Sequence, residues 1–216
     1  ANPNYPPEAV EWARRTMSAS RFAMMYLGEF GRPGGMIYDC FDANRHVVEP
    51  FEVPRDWRRL GGLDFGYNNP TAGVFLARDP DGVYYWFREH YERERTLDEH
   101  ASRLAELDER TLTWYGDPSA AQQMAELRRN RLSVLPADNN VQAGIDTVYS
   151  LLASDRLKIF RSCRFGINEI EGYVWDRKAG ETGFLDRLLK EDDHLMDALR
   201  YALHTTERQP GIRLHT

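Results

Sequence analysis

The spacing of apolar positions divides the chain near residue 55. Before that point, PPEAVEWARR predicts a helix with Pro7 in its first turn, and SASRFAMMYLGEF a second helix capped by Ser18 or Ser20. Gly31, Pro33, Gly34 and Gly35 then break the pattern. MIYDCF reads as a short apolar strand. DANRHVVEPFEVPRDWRRL, with Pro50, Pro54 and no sustained period, reads as an extended connector. Beyond it the rhythm changes. RRLGGLDF is an apolar run reaching Asp64, TAGVFLA is a second strand, and a DPDG turn at 79–82 leads into the aromatic, β-branched VYYWFREHY. Three strands on short turns predict an antiparallel meander. TLDEHASRLAELDER carries a Thr96/Glu99 capping box and a helical stripe of Leu97, Ala101, Leu104 and Leu107. After it, TLTWYGD is a fourth strand, DPSAAQQMAELRRN a helix, RLSVLP a fifth strand, VQAGIDTVYSLLAS a helix and RLKIF a short strand. GINEIEGYVW follows, then DRKAGETGF as a hairpin turning at Gly180, and a last helix from about Asp192 to His204.

Strands that alternate with helices after the meander imply right-handed crossovers and a parallel extension of the same sheet. The predicted fold is α/β: a ribonuclease H-like mixed sheet flanked by helices, with a β-hairpin before the last helix. The main domain is expected over 56–206, preceded by a segment at 1–55 and followed by a tail at 207–216. With 216 residues, 42% hydrophobic and 29% charged, the composition is that of an ordinary globular protein. A unit of this size buries roughly 70% of its unfolded surface and needs no staple. Cys40 and Cys163 are isolated, which excludes a disulfide framework and a zinc ribbon and fits a reducing compartment. Nowhere do about 18 apolar residues run together, and the opening ANPNYPPEAVEW has no signal-peptide pattern, so no membrane association or secretion is expected. The net charge of −6 argues mildly against a free-standing nucleic-acid binder.

Three acidic positions fall at the ends of elements that this topology brings together. Asp64 lies between Leu63 and Phe65, where a carboxylate is costly to desolvate unless it meets a cation or several donors. It could equally point to solvent at a strand end. Asp117, before Pro118, has the form of a helix N-cap, yet it also closes a strand at the carboxyl end, where open α/β sheets bind ligands. In EDDHLMDALRYALH, at roughly 100° per residue, Asp193, Asp197, Arg200 and His204 share one face and Leu195, Leu199, Ala202 and Leu203 the other. Complementing the helix dipole explains Glu191, Asp192 and Asp193 but not Asp197, one turn further in. Several carboxylates without thiolates suit hard divalent cations, and two such ions about 3.5–4 Å apart can drive in-line phosphodiester hydrolysis.

YLGEFG, GGLDFGYNNPTAGV, YGDPSA and DDHLMDALRYAL together resemble the C-terminal nuclease domain of the large terminase subunit of tailed bacteriophages, over nearly the whole chain. DxGxxNPTA and DHxxDALRY are the more specific motifs. The resemblance implies a metal-dependent endonuclease that cuts concatemeric viral DNA during genome packaging, leaving a 5′ phosphate and a 3′ hydroxyl. Mg²⁺ or Mn²⁺ would be held by Asp64, Asp117 and Asp197, with Asp193 and His194 close by. It implies that 1–55 joins a packaging ATPase domain to the nuclease. Implied partners are double-stranded DNA, that ATPase domain, the portal protein and the small terminase subunit, in the cytoplasm of an infected bacterium and outside the mature virion. No GxxxxGK[ST] loop occurs in the 216 residues, so these residues are expected to cut DNA but not to translocate it.

Only Lys158, Lys178 and Lys190 are lysines; the other basic residues are arginine. Arg156, Lys158, Arg161 and Arg164, with Arg177, Lys178 and Lys190, are the candidate phosphate contacts, although a solvated charged face accounts equally well for any one of them. Two other classes fit less well. An actin-like or sugar-kinase ATPase core needs two such units, and a catalytically silent DNA-binding or motor-docking module would not need all the acids.

Overall fold

A computed structural model describes residues 36–107, 112–174 and 193–208, together with residues 6, 8, 10, 11, 14, 22 and 26. Most of the two predicted N-terminal helices and the whole predicted hairpin at 175–184 lie outside the described residues.

A short helix, α1 (Ala43–His46), leads into β1 (Val47–Val48). The meander follows as β2 (Arg58–Asp64), β3 (Thr71–Arg78) and β4 (Tyr84–Glu92). Then come α2 (Leu97–Leu107), β5 (Thr113–Gly116), a 3₁₀ turn at Pro118–Ala120 and α3 (Ala121–Arg129). The chain continues through β6 (Ser133–Pro136), α4 (Val141–Ala153), β7 (Leu157–Phe160), α5 (Arg164–Gly172) and α6 (His194–Arg208). Among the described residues, seven strands form one sheet in the order β1-β7-β4-β3-β2-β5-β6. Within it β2, β3 and β4 are antiparallel, while β5, β6 and β7 add in parallel, the mixed sheet that the element order predicts.

The pleat sorts side chains between two cores. Val74 and Leu76 face the cluster built with α4 and α6, and Phe75 between them faces the cluster built with α2 and α3. The capping box forms as predicted, with Thr96 N donating to Glu99 Oε2 at 2.8 Å and Glu99 N to Thr96 Oγ1 at 3.3 Å. In the DPDG turn, Val83 N donates to Asp79 Oδ1 at 2.8 Å.

Two expectations for residues 36–55 need correction. MIYDCF is not a strand: Met36 makes a single bridge to Val174, and residues 37–40 turn. Ile37 and Tyr38 are nonetheless fully buried, so the apolar run serves the core without a ladder. The connector is not wholly irregular either, since Val47 and Val48 pair with Ile159 and Phe160 at the sheet edge. Two residues are too few to show a period. GINEIEGYVW, which the apolar pattern leaves without an assignment, contributes most of α5.

Candidate active site

β2 and β5 both finish at the same end of the sheet, and α6 begins there. α6 can come this close because Gly62 has no side chain: a Cβ on it would lie 1.8 Å from the carbonyl oxygen of Ala198. The helix therefore lies backbone-to-backbone on β2, which carries its first turn to Asp64. Asp64 is the last residue of its strand, and its Oδ2 is 2.9 Å from His194 Nδ1. Burial pushes the Asp64 carboxyl up despite His194, and the nearby Asp197 and Asp117 carboxylates push it further in the same direction. His194 moves up as well, chiefly through its hydrogen bond to Asp64 and against its own burial.

Asp117 combines the two roles its sequence leaves open. Oδ1 accepts from Ser119 N at 2.8 Å as the N-cap of the 3₁₀ turn, and Oδ2 accepts from the Tyr201 hydroxyl at 3.3 Å. Tyr201 belongs to α6, so the cap is also tied to the helix that carries Asp197. Asp197 is buried and ion-paired with Arg200 on the next turn. Asp193 immediately precedes α6; it is buried, and its carbonyl accepts from Asp197 N at 2.9 Å.

The polar face of α6 is not a solvent-facing stripe. Every residue from Leu195 to Thr206 is buried. α4 covers the polar side: Gly144 leaves room for the Arg200 side chain, where a Cβ would sit 3.3 Å from it, and Thr147 Oγ1 is 2.8 Å from His204 Nδ1. His204 Nε2 lies 3.7 Å from Asp138. The face that the helical spacing picks out is thus an internal polar seam.

Among the described residues, no three His, Cys, Asp or Glu side chains close into a metal cage. Each carboxylate instead turns to a protein donor: Asp64 to His194, Asp117 to Ser119 and Tyr201, and Asp197 to Arg200. The donor set is nonetheless chemically right for a hard divalent cation, with mutually repelling carboxylate oxygens and an imidazole on one side of the sheet.

The candidate phosphate contacts do not gather in one place. Arg156 and Lys158 flank the start of β7, at the end of the sheet opposite Asp64. Arg156 pairs with Glu207 and Lys158 with Asp155 at 2.6 Å. Arg161 is ion-paired with Glu49. Arg164 is exposed at the start of α5, next to Phe165, whose ring stacks on Tyr91 at 4.7 Å. Tyr91 shares its register with Ala72 and Asp64, so Arg164 is the one of these four nearest in register to the acidic end. Arg177, Lys178 and Lys190 lie outside the described residues.

Two groups at this end receive no role from the sequence. Tyr201 closes the DHxxDALRY motif, but its place on the helix carries no chemical signal of its own. Glu169, in the unassigned GINEIEG, is buried beside the α6 N-terminus, where desolvation pushes its carboxyl up to about 7. The sequence offers no local signal for it, because Glu169 lies 26 positions before the amide it reaches.

A mixed sheet of this order, with acids at the ends of its central strands and at the start of the last helix, is an RNase H-like nuclease fold. The chain belongs to the terminase RNaseH-like domain family, which matches residues 61–206. It is 29% identical to the large terminase subunit of Escherichia phage T5 over 219 residues, covering 96% of this chain and 50% of that protein. The solved large terminase of a thermophilic bacteriophage, in complex with ADP, superposes with a TM-score of 0.81 at 30% identity, over 95% of this chain and 53% of its own. The g2p large-terminase nuclease domain of bacteriophage SPP1, with bound Mn, shares the fold with a TM-score of 0.62 at 18% identity, covering 81% of this chain and 99% of its own. The chain thus spans about half the length of the T5 protein and of the ADP-bound large terminase.

Proposed function

We propose that this chain is the nuclease part of a large terminase subunit, an endonuclease that uses Mg²⁺ or Mn²⁺ to cut concatemeric viral DNA during genome packaging. The observation that carries the reading is the convergence of Asp64, Asp117 and the His194–Asp197 turn at one end of the sheet, where the carboxylates repel one another. The Mn²⁺ bound to the SPP1 nuclease domain supports the choice of cation. Residues 56–206 form the cutting unit in this reading, 1–55 link it to a packaging ATPase domain, and 207–216 are a tail. Portal protein and small terminase subunit would be its partners, in the cytoplasm of the infected host.

Asp64, Asp117 and Asp197 would hold the metal, with His194 and Asp193 beside them. The chemistry that a bound pair of such ions would supply is Lewis-acid activation of water and stabilisation of the leaving 3′ oxygen, which would leave 5′ phosphate and 3′ hydroxyl ends. The chain's own contribution is placement. Gly62 lets α6 approach, Ser119 and Tyr201 fix the Asp117 carboxylate, and Arg200 restrains Asp197. With Nδ1 bonded to Asp64, His194 would exchange a proton at Nε2 in this reading. Arg164 would contact the phosphate backbone without reading sequence.

The test is plasmid cleavage in Mn²⁺ or Mg²⁺ against EDTA, with Asp64→Ala, Asp117→Ala and Asp197→Ala in parallel. Each substitution should lower the rate by about 100-fold or more, the scale on which lost transition-state charge stabilisation falls. Wild-type cutting by these variants would sink the assignment, and absence of divalent-metal binding would favour a silent docking module.

A further inference from the structure

The start of α6 is not secured by its own sequence alone. Glu169 on α5 reaches across, and its Oε2 accepts from Leu195 N at 2.7 Å and from Met196 N at 3.2 Å. α5 is seated in the same manner: Glu89 on β4 accepts from Phe165 N at 3.0 Å and from Gly166 N at 2.9 Å. In both cases the carboxylate comes from another element, so the restraint passes from the sheet through α5 to α6. Free N–H groups in the first turn of a helix need acceptors, and a negative charge there is favoured by the helix dipole. A local Ser or Asp cap could meet that need more cheaply than a carboxylate with only 7% of its residue surface exposed. What the distant acceptor adds is a fixed rotational setting. His194 and Asp197 flank the two amides it holds, and His194 must meet Asp64 across the sheet.

We propose that Glu169 is a positioning residue that fixes the start of α6 and thereby places His194 and Asp197 opposite Asp64. This rests on the reading of the acidic end as the active site, and the experiment separates the two. Glu169→Ala and Glu169→Gln are compared with wild type in the 216-residue chain by three measurements. These are amide hydrogen exchange at Leu195 and Met196, the ¹⁵N signal of His194 Nδ1 that reports its bond to Asp64, and Mn²⁺ affinity by calorimetry. The Ala variant should accelerate exchange at both amides by about tenfold or more. It should also shift the His194 signal and weaken Mn²⁺ binding by about 10–100-fold, the usual cost of losing an outer hydrogen-bond partner of a metal site. The Gln variant, whose amide oxygen can accept from both N–H groups, should stay within about threefold of wild type in all three.

Two results would overturn the proposal. One is a Gln variant as impaired in Mn²⁺ binding as the Ala variant with its amides still protected, which would place the Glu169 charge in the site itself. The other is an Ala variant that melts earlier while exchange, His194 signal and Mn²⁺ affinity are unchanged, which would make the contact merely structural. If the wild-type chain binds no Mn²⁺, the metal reading of the site fails, and the exchange and His194 measurements still decide whether Glu169 sets the helix.

Discussion

Gly62 is where one missing side chain decides the geometry of the site. A methyl group there would meet the Ala198 carbonyl at 1.8 Å, a backbone atom that cannot rotate away. Gly62→Ala is therefore expected to cost about 3 kcal/mol or more, read as a lower midpoint in chemical denaturation, and to separate His194 from Asp64. Tyr201→Phe is a milder probe. It removes the Tyr201 donor to Asp117 and leaves the Ser119 N–H in place, so stability should fall by about 1 kcal/mol while metal affinity weakens. Unchanged metal binding in the Phe variant would show that the hydroxyl does not orient Asp117. At this scale Asp64, Asp117 and Asp197 were legible in the sequence, because an acid at a strand end or one turn into a helix is chemically conspicuous. The roles of Tyr201 and Glu169 were not, because their partners lie 84 and 26 positions away.

The pairing of β4 with α2 buries two histidines that face each other. His90 Nε2 and His100 Nδ1 are 2.8 Å apart, so one ring donates and the other accepts. Burial and the neighbouring imidazole lower His90 to about 4, and burial lowers His100 as well. Because the unfolded chain takes up these protons first, the contribution to stability is complete above the ordinary histidine value near pH 6.5. It is lost as pH falls toward 4. Denaturation midpoints should drop across that window by the equivalent of about 2 kcal/mol, and a His90→Leu/His100→Leu variant should flatten the slope. An unaltered slope would place the acid sensitivity elsewhere. The α2 capping box gives a local comparison, where Thr96→Ala should cost about 1 kcal/mol. Most elements longer than a turn followed from pattern, but the nine-residue α5 and the short capped α1 did not. β1 did not, since a two-residue strand exists only through its ladder with β7.

For the molecule as a whole, a charge of −6 sets the expectation for DNA. The isolated chain should bind weakly, and more tightly with divalent metal than in EDTA, because bound cations offset the converging carboxylates. Arg164→Ala should make the dependence of log affinity on log salt shallower by about one unit, as the loss of one phosphate contact does. Arg156→Ala and Lys158→Ala, at the opposite end of the sheet, should leave that slope unchanged in fluorescence-anisotropy titrations. The reverse pattern would move the DNA path to the opposite end of the sheet, at the start of β7.

Sequence by itself determined the order of the elements from β2 to β7 and the last helix, the mixed character of the sheet and three acids at the ends that such a sheet brings together. Period, capping and turn chemistry are local, and the handedness of crossovers leaves few topologies. Tertiary structure alone decided which surfaces these residues meet. It turned the polar face of α6 inward against α4, sent two of the expected basic contacts to the far end, and gave the first turn of α6 an acceptor from another helix. Those outcomes depend on contacts between residues distant in the chain, where a single absent Cβ at Gly62 or Gly144 counts for as much as any motif.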